Sequence, residues 1–185
     1  MAKNYEGKIG IGQLFFCIIA AATLFIPITF DPEMTFAYKT LLPVAEGDAT
    51  FIQLLYLGNV FSAFSIPELP TIVNQLIPYA VYAFCAVVAY DFGFILLLMI
   101  IRVDGLRKLF RFFGILLGFV MLAAFIVSLA TVVGFVLAYI GGAFGDGVGI
   151  IDSAKNGGAL FFLGVTIMSL VGTIKQFSSF FGRSI

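Results

Sequence analysis

The sequence predicts an all-α integral membrane protein with four transmembrane helices, both termini cytoplasmic, and a long structured first extracytoplasmic loop that holds a re-entrant or interfacial helix. Three observations lead there. Of 185 residues, 62% are hydrophobic and 11% charged, with a mean hydropathy of +1.14, whereas a soluble domain carries about a quarter charged residues. Four charge-poor runs approach the roughly 20 apolar residues that cross a hydrocarbon core about 30 Å thick. Taking those runs as spans also sorts the basic residues almost entirely to one side. The whole chain reads as a single polytopic domain (1–185), because no internal repeat is visible and the spans leave too little chain for a second unit.

The first run, Ile9 to Ile28, follows Lys3 and Lys8 as a signal peptide would. It exceeds the roughly 7 to 15 apolar residues of a signal h-region, and the IPITFDPEM that follows offers no pair of small residues for cleavage. An uncleaved helix is expected. The second run, Pro78 to Ile101, is interrupted only by Asp91, and the third extends from Phe112 to Tyr139. The fourth, Ala159 to Ile174, is short, and Lys175 extends it by keeping its stem in the apolar layer and its ammonium among headgroups.

The segment between helices one and two, about Thr29 to Ile77, is far longer than a connector requires. All six prolines (27, 32, 43, 67, 70 and 78) lie in it or at its edges, which breaks it into short, stiff pieces. Its apolar side chains, among them Phe36, Leu41, Phe51, Leu54, Phe61 and Phe64, need a bilayer, the helices or another protein to cover them. Within it, residues 49–66 form a charge-free stretch that hydropathy alone would count as a fifth span. A crossing there would leave Pro67 to Gln75 inside with Glu68 and no base, against the positive-inside tendency. Gln53 and Asn59 also fall on different faces of a helix, so it is no clean amphipathic surface helix. A re-entrant, interfacial or partner-covered element is expected.

With four spans, Lys3, Lys8, Arg102, Arg107, Lys108, Arg111, Lys175 and Arg183 share one side, and only Lys39 and Lys155 lie on the other. The richer side is expected to be cytoplasmic, in the plasma membrane. The inner link, RVDGLRKLFRFF from Arg102 to Phe113, mixes bases with aromatics, as suits the anionic inner leaflet; ordinary positive-inside anchoring is the expected account, and a specific lipid site is the alternative. The second outer loop, Gly141 to Gly158, is glycine-rich but lacks the lysine and the strand-to-helix setting of a phosphate loop. It reads as a flexible hairpin in which Asp152 forms a turn or caps a local helix.

The residue types present restrict the chemistry. No histidine is available as metal ligand or general base, Cys17 and Cys85 read as small buried hydrophobes, and no nucleophile and base stand at plausible spacing. No catalytic, cofactor-binding or metal-binding residue is assigned, no cofactor is expected, and nucleic acid has no basic patch to rest on. The candidate polar site consists of Asp91, Ser128, Thr131, Thr166, Ser169, Thr173 and Gln176. Asp91 lies near the middle of helix two, where a charge costs several kcal/mol. Its helical neighbours Phe84, Val87, Val88, Phe94, Ile95 and Leu98 make an apolar stripe rather than a polar track. It reads either as a proton or cation site or as a hydrogen-bonding clamp to another helix or subunit. On helix four, Thr166, Ser169, Thr173 and Gln176 fall within about 80° of one another, and Ser128 and Thr131 share a face of helix three. Such hydroxyls line a narrow path in a channel, and in most bundles they bond between helices. Lys175 lies on the opposite face from the stripe, so an ion pair with Asp91 requires a rotated helix or a second subunit.

Small residues at i, i+4 spacing mark close-packing faces: Cys85, Ala89 and Gly93 on helix two, Gly114 with Gly118 and Ala130, Gly134 and Ala138 on helix three. The layout resembles that of tetraspan proteins such as claudins in topology, yet the first outer loop has no cysteine pair and the chain no Trp, so no residue role is carried over. The expected function is a non-catalytic structural or accessory subunit of a membrane assembly, partnered by the lipid bilayer and other membrane subunits as a homo- or hetero-oligomer. The alternative is a homo-oligomeric channel or ion-translocating subunit using Asp91 and the helix-four stripe.

Overall fold

The computed structural model describes residues 11–24, 27–30, 47–50, 69–100, 104–142, 149–151 and 158–180. Helix α1 spans Ile11–Thr23, and strands β1 (Pro27–Phe30) and β2 (Gly47–Thr50) follow it. Three long helices complete the chain: α2 (Thr71–Ile100), α3 (Asp104–Ile140) and α4 (Ala159–Phe180). All three are long and apolar enough to cross a membrane, over Thr71–Leu97, Lys108–Ile140 and Ala159–Ser178.

Helix α1 is shorter than the expected span to Ile28. The Thr23 hydroxyl donates to the Ala20 carbonyl (2.6 Å) and the Leu24 amide to Ala21 (3.0 Å), tightening the last turn. Pro27, which has no amide proton to continue a helix, then opens β1. This strand pairs antiparallel with β2, Pro27 opposite Thr50 and Phe30 opposite Gly47, and proline is tolerated as the first residue of a strand. Ile28 is therefore a strand residue, as are Ala49 and Thr50 at the start of the stretch expected to be re-entrant or interfacial. The remainder of that stretch, 51–66, lies outside the described residues.

The other boundaries move outward. Helix α2 begins seven residues before the expected Pro78, because the Pro70 carbonyl accepts from the Val73 and Asn74 amides (2.9 and 3.2 Å) and starts the helix there. Pro78 is accommodated inside it, as membrane helices allow. Asp91 consequently sits in the C-terminal third of α2 rather than near its middle. Most of the inner link is helical, since α3 starts at Asp104 instead of Phe112. At the other end, Gly142, with φ +74°, terminates α3, a conformation that favours glycine. Gly158, at φ +71°, offers its carbonyl to the Phe162 amide (3.1 Å) to open α4. Residues 143–148 and 152–157 of the glycine-rich loop, Asp152 included, lie outside the described residues.

Side-chain contacts fix the direction of each helix. Phe110 of α3 stacks on Phe94 of α2 (4.2 Å between centroids), while a Cβ placed on Gly134 would meet Leu69, just before α2, so α2 and α3 are antiparallel. Phe177 meets Phe119 (5.3 Å) and Phe162 meets Phe135 (6.2 Å), making α3 and α4 antiparallel as well. Helix α1 packs on α2 and α4 and closes a four-membered ring, with β1 against α4. The core of this ring holds Phe16, Ile77, Val81, Phe84, Met121, Phe161, Phe162 and Val165, all nearly inaccessible.

Two of the three small-residue faces close contacts inside the chain. A methyl group on Gly118 would press on the Phe177 ring at 3.0 Å, and one on Gly134 would overlap Leu69 at 2.7 Å. The α2 face is divided: Cys85 is half-buried against the core, and the other two positions point outward. Ala89 is exposed, and a methyl group on Gly93 would meet nothing within 4 Å.

Candidate functional site

Asp91 is 1% exposed, and its helical neighbours Phe84, Val87, Val88, Phe94 and Ile95 are buried with it. This stripe faces the centre of the bundle. The Leu98 side chain lies outside what is described. A carboxylate removed from water needs charge-assisted hydrogen bonds, and α4 supplies them: Gln176 Nε2 donates to Asp91 Oδ1 at 2.8 Å and to Oδ2 at 2.7 Å. Gln176 is itself 2% exposed. The pair lies where the C-terminal part of α2 meets the C-terminal part of α4, since both helices end on the same side of the ring.

Lys175, next in sequence to that partner, turns to a different helix. Its ammonium donates to the Gly12 carbonyl at 2.6 Å and lies 5.0 Å from the centroid of the Phe16 ring, a cation–π contact. Lys175 thus reaches α1, through a backbone carbonyl and a ring, rather than forming an ion pair with Asp91. The Lys175 ammonium and the buried Cys17 thiol both lie within electrostatic reach of Asp91. Asp91 therefore sits at a junction of α1, α2 and α4.

The remaining candidate residues form a second group, on the interface of α3 and α4. Ser128 and Thr131 lie between Met121, which contacts Gly172, and Phe135, which meets Phe162. In an antiparallel pair this sets them at the depth of Ser169 and Thr166. All four are buried. The threonine hydroxyls bond within their own helices: Thr131 to the Val127 carbonyl (2.8 Å), Thr166 to Phe162 (2.7 Å) and Thr173 to Ser169 (2.8 Å). Ser128 Oγ and Ser169 Oγ have no hydrogen-bond partner among the described residues. Beyond Thr131 and Thr166 the stripe meets Phe135, Phe161 and Phe162, whose rings pack at 5.3 and 6.2 Å.

All seven candidate residues are buried, and among the described residues Asp91 and Gln176 are joined across helices by hydrogen bonds. Sequence reasoning placed Gln176 on the α4 stripe without pairing it with Asp91. The available signal was depth: in an up-and-down bundle the C-terminal parts of helices two and four come to the same side, and Gln176 is the amide at the matching level. The Lys175 contact with Gly12 and Phe16 had no such signal, because a backbone carbonyl leaves no mark in the sequence.

Among the described residues, no group of three or more His, Cys, Asp or Glu side chains converges as a metal site. No family model, curated protein or solved structure matches the chain.

Proposed function

We propose that the protein is a non-catalytic structural or accessory subunit of a membrane assembly. The observation that carries this reading is the Asp91–Gln176 contact. An intramembrane acid is usually a functional group, but one whose two oxygens both face an amide of the same chain acts as a clamp between helices. The hydroxyl stripe supports the same reading, since its threonines donate to carbonyls four residues back in their own helices and it ends on a layer of phenylalanine rings. The outward small-residue face of α2 at Ala89 and Gly93 supplies the close-approach surface on which a neighbouring helix packs.

In this reading α1 is the fourth crossing. Its helical part of 13 residues is about 20 Å long, against a hydrocarbon core of about 30 Å. The eight-to-two division of bases supports cytoplasmic termini in the plasma membrane. A photo-activated cross-linking residue at position 93, used in native membranes, tests the partner directly. Adducts with a different membrane chain are expected, whereas labelling of lipid alone would contradict the proposal.

The second reading, a homo-oligomeric channel or ion-translocating subunit, is favoured by one observation, the hydrogen-bonding capacity left on Ser128 and Ser169. It predicts an ion or proton flux in reconstituted vesicles that Asp91→Asn abolishes while assembly persists. The accessory-subunit reading predicts no flux above empty vesicles for either protein.

A further inference from the structure

The start of α3 extends beyond its neighbour. At 37 residues α3 is about 55 Å long, while α4, with 22, is about 33 Å. Their register, set by Gly118 against Phe177 near the C-terminus of α4, leaves roughly the first three turns of α3 without α4 beside them. Among the described residues, those turns are held by α2 alone. Phe110, buried, stacks on Phe94 (4.2 Å) and lies parallel to Tyr90 (5.8 Å, 2° between planes) at the end of α2.

Among the described residues, the opposite side is open and chemically divided. Lys108 and Phe112 flank Phe110 by two residues each, which puts both on the face away from the stack, one turn apart. Lys108 is exposed, Phe112 is 70% exposed and Leu109 50% exposed. Arg107 and Arg111 occupy the same three turns, against a single acid, Asp104. The order along the axis matters: Lys108 lies about 6 Å nearer the helix start than Phe112. A charged donor toward the membrane surface and an exposed ring one turn deeper match a phospholipid, with phosphate at Lys108 and acyl chain along Phe112.

We propose that the first three turns of α3 form a binding site for an anionic phospholipid headgroup. General positive-inside anchoring would need only loosely placed bases, whereas here a helix pinned by the Tyr90–Phe94–Phe110 stack presents base and ring in fixed order. The site is separate from the Asp91 junction and does not depend on the partner proposal.

Native mass spectrometry of the full chain in mild detergent, with equimolar phosphatidylglycerol and phosphatidylcholine, tests it. Preferential retention of phosphatidylglycerol is expected, and each base removed should lower that preference about fivefold, the equivalent of the surface attraction per Lys or Arg. Arg107→Gln/Lys108→Gln/Arg111→Gln should therefore abolish the preference with an unchanged thermal unfolding midpoint. Lys108→Gln alone, at an exposed position, reads the same effect should the triple variant fail to fold. Equal retention of the two lipids by the unaltered protein would overturn the proposal. So would a preference that survives the substitutions, or displacement of the lipid by inorganic phosphate, which has no acyl chain for Phe112.

Discussion

At the scale of residues, the most consequential interaction is the one between Asp91 and Gln176. Leaving a buried charge without its donor costs more than the pair contributes when intact. Gln176→Leu should therefore destabilise the bundle by about 3 kcal/mol, and Asp91→Leu, which removes the acceptor of the Gln176 amide, by about 1 to 3 kcal/mol. The double Leu variant should recover much of the loss, giving a coupling above about 1 kcal/mol in a double-mutant cycle followed by denaturant unfolding in detergent. Additive losses would show that the two side chains act independently. The glycines offer a contrast in sign. Gly134→Ala must displace Leu69 from 2.7 Å, an overpacking worth about 1 to 3 kcal/mol. Gly93→Ala meets nothing and should gain up to about 1 kcal/mol from helix propensity. Equal effects in the same unfolding assay would refute the packing assigned to α2 and α3.

At the scale of elements, α1 is the helix with the least holding it. It is short, it packs against α2 and α4 through Phe16, Cys17 and Ala20, and Lys175 ties its first turn to α4 through the Gly12 carbonyl. A hydrogen bond from a charged donor contributes roughly 1.5 to 3 kcal/mol. Lys175→Met should thus make local release of α1 about tenfold more frequent. Cys17 reports it, since Cys85→Ala leaves one thiol in the chain, and alkylation of Cys17 by a membrane-permeable maleimide should accelerate by that factor. An unchanged rate would show that apolar packing alone holds α1. The element boundaries also show what the sequence can carry. Apolar runs located the bodies of α2, α3 and α4, because hydropathy over some twenty residues is a collective signal. Their ends were set by single events the runs do not encode: Pro70 starting α2 upstream of a tolerated Pro78, α3 continuing through the bases of the inner link, and Pro27 turning the chain into β1. The β1–β2 pairing was illegible for the same reason, since a four-residue ladder between distant segments has no period to detect.

At the scale of the whole molecule, the seven candidate polar residues all turn inward, which follows from the cost of placing them against lipid. Which of them touch depends on helix order and direction, and those are tertiary facts. The resulting bundle keeps its acid paired, closes its hydroxyl stripe with aromatic rings, and leaves Ala89 and Gly93 on the outside of α2. Under the proposed function, that combination suits a subunit whose surface rather than its interior does the work. Native mass spectrometry of the protein extracted from its own membrane in mild detergent tests this most directly. The account predicts co-extraction with different chains at fixed stoichiometry; a ring of identical subunits, or the solitary chain, would contradict it.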